Sequence, residues 1–457
     1  MLTRSSAGDG AFFSGLRERE FARLDQQHIA YLDYAGSGLY AESHVAAHRT
    51  LLTQGIFGNP HSANDASCAS AAIIEGARAR VLRFLDAPDD YDVCFTANAS
   101  AAIKLVAEAY PFGPSAPLLL SADNHNSVNG MREFARRAGA DVGYLPLAAD
   151  LTLADPAARL AALAREGALL ALPAQSNFSG VQHPLSLVAE AQRLGCRVLL
   201  DAAAFVPTHR LSLREHPADF VALSFYKVFG YPTGVGALVA GRDALASLRR
   251  PWFAGGTVEF VSVQLDRHRL RPLHEAFEDG TPNFLDLAAL EPGFGLHGDI
   301  GVDRLSVHVD GLAVELVEML RALRHGVGTP VVRLYGVPAS GDPPVPRGAT
   351  VTFNVIDPLG NPVPFSTVET RASEAGVMLR GGCFCNPGAS EAAFHFDPDR
   401  MAHCLDTVED AFSVPRLRQC AGPDIAVGAM RASLGMATNR DDIRRAADVI
   451  ATFAAGA

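Results

Sequence analysis

Short apolar runs alternate with helix-like segments from about residue 30 to residue 300. The run "YDVCFTA" (91–97) leads into "NASAAIKLVAEAY", in which Ile103, Val106 and Tyr110 keep helical spacing. Further apolar runs lie at 116–122, 167–175, 196–203 and 218–227. Alternation of this kind indicates βαβ units and a mostly parallel sheet, which binds ligands at the carboxyl ends of its strands. The predicted class is therefore α/β.

The pattern changes after about residue 300. The segment 326–357 is rich in Pro and Gly and contains alternating, strand-like stretches. At 457 residues the chain is also too long for one ordinary core. We predict a large ligand-binding domain over residues 31–300 and a small α+β domain over 301–457. The N-terminal segment, residues 1–30, is expected to pack on the small domain.

Composition excludes several classes of function. The net charge of −11 and the absence of a basic run argue against binding to nucleic acid or to an anionic membrane. The N-terminus lacks the apolar core of a signal peptide, and no window reaches the length of a membrane span. The seven cysteines are too thinly spread for a disulfide-stapled secreted domain. We expect a cytoplasmic protein.

Two residues that follow apolar runs suggest a cofactor site. Asp201 ends the run "RVLLD", and Lys227, which with Lys104 makes up the chain's lysines, ends what reads as the next strand, "FVALSFYK". Each alone has an ordinary explanation, a helix N-cap for Asp201 and a solvated strand end for Lys227. Neighbouring parallel strands would bring both to one edge of the sheet. A carboxylate and an amine there suit pyridoxal phosphate, whose ring nitrogen needs an acid partner and whose aldehyde needs a lysine.

Other residues could complete such a site. Asn98, Ala99 and Ser100 lie at a strand-to-helix turn, where free backbone N–H groups can face a phosphate. His125, after an apolar run, could stack on a flat ring, and Asn177 could donate to the ring's phenolic oxygen. Each of these also fits an ordinary helix start or loop.

The stretch "LRGGCFCNPGAS" (379–390) contains Cys383 and Cys385, one residue apart. Such a pair could be half of a metal site, a redox couple, or one nucleophile with a bystander. No second Cys/His pair with zinc spacing is evident, so no metal site is predicted. The flanking glycines and the proline predict a loop that can swing.

Taken together, these segments resemble the class V aminotransferases of fold type I, and specifically the cysteine-desulfurase part of the molybdenum cofactor sulfurases. The resemblance covers about 400 residues, in family order. It is carried by "YLDYAGSG" (31–38), "GNPHS" (58–62), "FTANASAAIKLVAEAY" (95–110), "DNHNSV" (123–128), "DAAAFV" (201–206), "ADFVALSFYKVFGYPTGVGAL" (218–238), "FEDGTPNFLDLAAL" (277–290), "GGCFCNPGA" (381–389) and "RASLG" (431–435). It implies a mostly parallel seven-stranded sheet in a pyridoxal phosphate-dependent transferase.

The resemblance also implies roles for individual residues. Lys227 would bond the cofactor aldehyde, Asp201 would bond the ring nitrogen, His125 would stack on the ring and Asn177 would bond the phenolic oxygen. The remaining cofactor contacts implied are Ala99, Ser100, Ser224 and Tyr226, with Thr257 reaching the phosphate from a second subunit of a homodimer. Arg431 would grip the substrate carboxylate, with Arg380 as a second contact. Cys385, five residues after Arg380 as in related desulfurases, would take up the sulfur.

Three positions depart from the family pattern. Ala204 stands where many class V enzymes have Gln, which leaves the phenolic oxygen to Asn177. Tyr226 replaces a frequent His before the lysine, as in the molybdenum cofactor sulfurase branch, and Ser390 replaces a further Cys of that branch. The eukaryotic members continue into a domain that receives the cofactor, whereas this chain ends one helix after "RASLG" and is expected to be a stand-alone module.

The function implied is a pyridoxal phosphate-dependent cysteine desulfurase. It would convert L-cysteine to L-alanine and leave a persulfide on Cys385, with Lys227 and His125 as further catalytic residues. The sulfur acceptor would be the molybdenum cofactor, a biosynthetic intermediate or a carrier protein. One alternative is another class V enzyme, an aminotransferase, C–S lyase or racemase in which Cys385 is incidental. A second is a catalytically degenerate accessory subunit.

Overall fold

The computed structural model describes residues 7–339, 343–408, 413–422 and 424–454. A seven-stranded and a four-stranded sheet organise these residues. No helix in the described ranges is both long and apolar enough to cross a membrane.

The strands are numbered in chain order. They are β1 (Ala30–Tyr31), β2 (Tyr91–Thr96), β3 (Leu118–Ser121), β4 (Val142–Leu145), β5 (Leu169–Pro173), β6 (Arg197–Asp201), β7 (Phe220–Ser224), β8 (Gly236–Gly241), β9 (Val258–Ser262), β10 (Arg267–Leu270), β11 (Val332–Tyr335), β12 (Thr350–Val355), β13 (Val377–Met378), β14 (Arg380–Gly382) and β15 (Ala429–Ser433).

The helices are likewise numbered along the chain. They are α1 (Ala7–Glu20), α2 (Arg23–Gln26), α3 (Glu42–Gln54), α4 (Asp65–Phe84), α5 (Ala99–Ala109), α6 (Asn126–Asn129), α7 (Met131–Arg137), α8 (Pro156–Leu163), α9 (Ser186–Arg193), α10 (Phe225–Phe229), α11 (Arg242–Ser247), α12 (Phe284–Leu287), α13 (Leu290–Ile300), α14 (Val302–Ala322), α15 (Phe365–Glu374), α16 (Pro387–Phe394), α17 (Pro398–Val408), α18 (Val414–Ala421) and α19 (Arg440–Ala451). A 3-10 turn covers Leu273–Ala276.

The central sheet has the strand order β2-β8-β7-β6-β5-β3-β4. Only β8 runs against its neighbours, β2 and β7, so the prediction of a mostly parallel seven-stranded sheet is confirmed. Both faces are covered by apolar layers. Along β5, Leu170 and Leu172 enter the core on one face, and Leu169 and Ala171 enter the core on the other. This two-sided burial explains why the strands read as continuous apolar runs.

The second sheet is antiparallel, in the order β11-β12-β15-β14. Its core includes Val351 and Phe353 of β12, and Ile443 of α19 belongs to the same apolar cluster. Phe13 and Leu16 of α1 are also part of this core. The N-terminal segment therefore lies on this smaller sheet, and β1 also pairs with β13.

Two features lie outside the predicted pattern. A disulfide joins Cys404 of α17 to Cys420 of α18, a pairing that was not predicted from the sequence. The strands β9 and β10 form a separate two-stranded ribbon. Its apolar side chains are exposed to solvent, including Phe260 at 54% and Val263 at 96% of the maximum.

Candidate active site

The carboxyl ends of β6 and β7 bring Asp201 and Lys227 to one edge of the sheet. Asp201 is the last residue of β6, next to β7. Lys227 was expected at the end of a strand, but β7 stops at Ser224 and the lysine lies in the short helix α10. The strand stops there because its partner β8 begins at Gly236, opposite Ser224, and Gly230 ends the helical turn with a positive φ.

Both side chains line a cavity of about 140 Å³, which we call the active-site cavity. Most of the predicted cofactor contacts line it as well. Its walls comprise Asn98, Ala99, Ser100, Ile103, His125, Ser127, Pro173, Gln175, Asn177, Asp201, Ala203, Ala204, Ser224, Tyr226 and Lys227. The structure thus brings together residues that lie more than 100 positions apart in the sequence.

The N-terminus of α5 forms one end of the cavity. The Asn98 side chain caps the helix by accepting a hydrogen bond from the Ala101 N–H (3.0 Å), and the Ala99 N–H donates to Ser224 Oγ (2.8 Å). A β-carbon on Gly236 would lie 2.5 Å from the Asn98 backbone, so a glycine lets the helix end approach β8. The positive end of the helix dipole makes this end suitable for a phosphate.

His125 lies beside this helix end, as the N-cap of α6. Its Nδ1 accepts a hydrogen bond from the Ser127 N–H (3.1 Å). Burial lowers the pKa of His125, and the Asp201 carboxylate only partly opposes this. A neutral imidazole is the form that suits stacking on an aromatic ring.

Lys227 is buried close to several charges. Burial lowers the pKa of its ammonium group, with the Asp201 carboxylate opposing the shift and the Arg431 guanidinium adding to it. A lysine shifted in this direction holds more of its neutral amine near pH 7. The neutral amine is the form that can attack an aldehyde or accept a proton.

Arg380 and Arg431 converge on one carboxylate, that of Asp33. Arg431 Nη2 donates to Asp33 Oδ1 (3.0 Å), and Arg380 Nε donates to Asp33 Oδ2 (2.9 Å). The Arg431 side chain is 3% exposed and that of Arg380 is 49% exposed. Within the described residues, the buried Arg431 Nε has no hydrogen-bond partner. Neither Arg380 nor Arg431 is among the residues that line the active-site cavity.

Arg431 is also tied to the cavity wall. Its Nη1 donates to the backbone carbonyl of Asn177 (2.8 Å), and its guanidinium lies 4.6 Å from the centre of the Phe384 ring. Burial lowers the pKa of Arg431, while Asp33 raises it. A buried arginine oriented in this way can bind a carboxylate with two parallel hydrogen bonds.

Residues 381–388, which we call the Cys loop, run from the end of β14 into the first turn of α16 and carry Cys385. The Cys385 side chain is exposed, and both Phe384 and Cys385 have a positive φ, 54° and 55°. Their carbonyls are bound to the large domain. The Asn177 side-chain amide donates to the Phe384 carbonyl (2.7 Å), and the Asn126 N–H donates to the Cys385 carbonyl (2.7 Å).

The next residues anchor the Cys loop further. The Asn386 amide donates to Asp123 Oδ1 (2.6 Å) and to Asn177 Oδ1 (3.0 Å), and its oxygen caps α16. A β-carbon on Gly388 would lie 2.1 Å from the Ala122 carbonyl oxygen, so the loop packs against the end of β3. The expected swinging loop is instead held by hydrogen bonds from three consecutive residues. The glycine serves close packing rather than mobility.

The two cysteines of the Cys loop have different surroundings. Cys383 is half-buried, and its thiol donates to the Val427 carbonyl (3.4 Å). Burial raises the pKa of Cys383, so this thiol stays protonated near neutral pH. Cys385 faces solvent and lies within electrostatic range of both Lys227 and Arg431. The difference favours Cys385 as the nucleophile.

Asn177 and Ala204 both line the cavity. The Asn177 amide already gives one hydrogen bond to the Cys loop, which leaves its second N–H for a phenolic oxygen. Gln175, which was not predicted as a site residue, fills the space beside Ala204. Its amide nitrogen donates to the Ala204 carbonyl (3.0 Å).

Tyr226 lines the cavity, but Thr257 is not among its wall residues. Thr257 is buried just before β9, where its hydroxyl donates to the Ala254 carbonyl (2.9 Å). The residue therefore makes no contribution to the cavity of its own chain. Its action across a subunit interface stays a prediction.

Three residues of the site were not identified from the sequence. Asp33, Asp123 and Asn386 have hydrogen-bond partners hundreds of positions away. A local signal existed for Asn386, because Asn followed by Pro is typical of a helix N-cap and N1. Asp33 lies inside the segment "YLDYAGSG" that carries the resemblance, but nothing local indicates its arginine partners.

Solved structures with this arrangement of strands and helices include two cysteine desulfurases. The one from Thermococcus onnurineus NA1 superposes with a TM-score of 0.79 at 22% identity, over 96% of this chain and 98% of that chain. The desulfurase CsdA of Escherichia coli gives 0.76 at 22% identity, over the same shares of the two chains. A cystine C-S lyase in complex with cysteine persulfide gives 0.70 at 19% identity, over 95% and 100%. The predicted fold-type I architecture is confirmed.

Relatives by sequence include molybdenum cofactor sulfurases. The Arabidopsis thaliana protein is 36% identical over 485 aligned residues, which cover 96% of this chain and 58% of that protein. The Bos taurus protein is 40% identical over 399 residues, covering 82% and 45%. The chain thus spans about half the length of the curated relatives it matches. The sequence profile described as "Aminotransferase class-V" matches residues 30–446, most of the chain. The protein therefore belongs to the class V aminotransferase family.

Proposed function

We propose that the protein is a pyridoxal phosphate-dependent cysteine desulfurase. The observation that carries the proposal is the position of Cys385. Its thiol is exposed, and the backbone on which it stands is hydrogen-bonded to Asn126 and to Asn177, a wall residue of the cavity that contains the buried Lys227. Aminotransfer or racemisation requires the lysine and no thiol, whereas transfer of sulfur to the protein as a persulfide requires both.

The residues present fit the cofactor. The cavity has a helix N-terminus at one end for the phosphate, and Asp201 stands where a ring nitrogen needs a carboxylate. Ser100 and Ser224 add hydroxyl groups at the phosphate end, and His125 would cover the ring. When bound, pyridoxal phosphate supplies an aldehyde for an amine and a ring that withdraws electrons from the substrate's Cα.

The remaining chemistry belongs to the chain's own side chains. Arg431 binds the cysteine carboxylate through its free Nε–H and an Nη group, and so orients the substrate. Lys227, with its lowered pKa, removes the proton from Cα and returns one during the reaction. Arg380, half exposed, adds positive charge at the entrance.

Cys385 performs the sulfur transfer. Its thiolate attacks the substrate sulfur, so an S–S bond forms while the Cβ–S bond breaks. The electron pair of the broken bond leaves with Cβ, which takes up a proton, and the products are L-alanine and a persulfide on Cys385. Cβ gains two electrons and is reduced, while the substrate sulfur and the Cys385 sulfur each lose one, so no other redox partner is needed.

The sulfur acceptor is part of the proposal. Cys385 is exposed, so a persulfide there can meet a separate acceptor. The relatives named molybdenum cofactor sulfurase favour the molybdenum cofactor, with a biosynthetic intermediate or a carrier protein as the other classes. Labelled sulfur from cysteine, followed into each candidate, would identify the acceptor.

A homodimer is also part of the proposal. The β9–β10 ribbon exposes Phe260, Val261, Val263 and Leu265, and Thr257 lies at its base. An apolar ribbon of this kind needs a covering partner. A second copy of the chain would cover it and bring Thr257 towards the phosphate end of the partner's cavity.

The alternative is a C–S lyase that releases the sulfur without Cys385. It is worth testing because a cystine C-S lyase is among the structural neighbours. The experiment is to load the purified protein with pyridoxal phosphate, add L-cysteine, and measure alanine, pyruvate and protein-bound persulfide. Cys385→Ala should lose the persulfide and alanine formation, and Cys383→Ala should keep both. Pyruvate release at the wild-type rate from Cys385→Ala would establish the lyase instead.

A further inference from the structure

Asp123 is a fully buried carboxylate that the reaction described above does not use. It lies two residues after β3 and is 0% exposed, like the His183 side chain beside it. Three side chains donate to it: Ser176 Oγ (2.8 Å) and the Asn386 amide (2.6 Å) to Oδ1, and His183 Nε2 (2.9 Å) to Oδ2. A carboxylate can be buried in this way only when such donors compensate for lost water.

The three donors come from two different parts of the protein. Ser176 lies within the turn closed by the Gln175–Gln182 bridge, and His183 follows that bridge directly, both on the side of the central sheet. Asn386 belongs to the Cys loop and follows Cys385 directly. The Asp123 carboxylate therefore has all three of its side-chain donors only when the Cys loop is in place.

We propose that Asp123 is a positioning residue that holds the Cys385 thiol in place for attack on the substrate sulfur. The inference rests on the proposed desulfurase function. Asp123 acts through Asn386, and it is not one of the residues that line the cavity. The hydrogen bond from His183 Nε2 occupies Asp123 Oδ2. This leaves Asp123 Oδ1 directed at Asn386 of the Cys loop.

The backbone of the loop shows why an anchor is needed. Phe384 and Cys385 both adopt the left-handed conformation, which side chains other than glycine rarely adopt. Such conformations persist where the surroundings enforce them. The Asn386 anchor, immediately after these two residues, prevents them from relaxing. A thiol displaced by about 1 Å from its line of attack loses roughly 100-fold in rate.

The test uses Asp123→Asn in the pyridoxal phosphate-loaded enzyme. The rate of persulfide formation on Cys385 in a single turnover should fall about 10- to 100-fold. The KM for cysteine should change by less than about two-fold, because Arg431 is untouched. Iodoacetamide should alkylate Cys385 faster, and the amides of the Cys loop should exchange hydrogen faster, because the loop is released.

Two matched variants separate positioning from stability. Asp123→Asn combined with Asn386→Asp exchanges donor and acceptor across the same contact, and should restore much of the rate that either single variant loses. Asp92→Asn alters another buried aspartate–histidine pair, with His274 (2.8 Å), in the edge strand β2. It should change none of the Cys385 readouts.

Two results would overturn the proposal. One is unchanged alkylation and exchange at the Cys loop in Asp123→Asn, and the other is an equal loss of rate in Asp92→Asn. If the wild-type enzyme itself formed no persulfide, the desulfurase function would fail instead. The alkylation and exchange measurements would still decide whether Asp123 holds the loop.

Discussion

Arg380 and Arg431 face each other across neighbouring strands, with their Cα atoms paired between β14 and β15. Both donate to Asp33, so one carboxylate holds two guanidinium groups. The pair keeps a net positive charge at the side of the cavity from which the Cys loop begins. The two arginines differ in burial, and this difference separates their expected contributions.

Arg431→Ala should raise the KM for cysteine about 10- to 100-fold, since losing a charge-assisted hydrogen-bonded pair costs about 1.5–3 kcal/mol. Cofactor retention should change little, because Arg431 contacts Asp33 and Asn177 rather than the helix end. Arg380→Ala is the matched variant and should have a smaller effect, since its side chain is 49% exposed. Initial rates over a range of cysteine concentrations give the KM of each variant for comparison with the wild type. A larger effect at Arg380 would assign the carboxylate to that residue.

Lys227→Ala should abolish covalent attachment of pyridoxal phosphate. Borohydride reduction of the loaded wild type should attach the cofactor to the peptide that contains Lys227, as read by mass spectrometry. Lys104→Ala is the control, because Lys104 is 67% exposed and paired with Glu108 on the surface of α5. Cofactor trapped on protein in the Lys227→Ala variant would contradict the assignment.

The two thiols of the Cys loop should react with iodoacetamide at different pH. Burial holds the pKa of Cys383 above its ordinary value of 9.0. The reactive thiolate of Cys383 therefore stays the minor form until the pH exceeds that value. The ratio of Cys385 to Cys383 alkylation should therefore be high at about pH 7.5, which lies below the ordinary thiol pKa, and should fall as the pH rises. Peptide mapping with the exposed Cys68 as reference would measure both. Preferential labelling of Cys383 would reverse the assignment of the nucleophile.

Gly388→Ala should displace the Cys loop, because the added carbon would lie 2.1 Å from the Ala122 carbonyl oxygen. We expect a loss of about 1–3 kcal/mol in the free energy of unfolding and slower persulfide formation. Gly298→Ala is the matched change, since Gly298 lies exposed in α13 with no atom within 4 Å of the added carbon. That variant should be neutral or more stable by about 0.5–1 kcal/mol. Equal behaviour of the two variants in urea unfolding and in the persulfide assay would contradict close packing of the loop.

Phe260→Glu together with Val263→Glu should weaken the proposed dimer, because charges would enter the apolar ribbon face. Light scattering after gel filtration should then show monomer, with loss of cofactor if Thr257 acts across the interface. Leu359→Glu is the control, because Leu359 is 87% exposed in a turn of the small domain. A wild-type protein that is monomeric and active would remove the role proposed for Thr257.

The seven-stranded sheet could be predicted because its signals are local. The run "LLALP" is buried on both faces and forms β5 as expected, and the turn after β2 begins α5 with Asn98 as its cap. Lys227 was expected at the end of a strand, whereas it lies in the short helix α10. The residue at which β7 stops depends on the start of its partner β8, which no local pattern specifies.

The supports of the site could not be predicted in the same way. Asp123 and Asn386 are 263 positions apart, and Asp33 and Arg431 are 398 positions apart. Each is an ordinary polar residue in its own segment, and its partner is set only by the packing of two domains. The same limit explains why the Cys loop was expected to swing, since glycine and proline indicate turns but do not show what the turn packs against.

The Cys loop belongs to the small domain, yet its anchors at Asp123, Asn126 and Asn177 all belong to the large domain. Each hydrogen bond that positions Cys385 therefore also joins the two halves of the molecule. Parting the halves to admit or release a cofactor would withdraw Cys385 in the same movement. Under the proposed function, a form with the two halves apart would not hold Cys385 near the cavity and so could not take sulfur from cysteine.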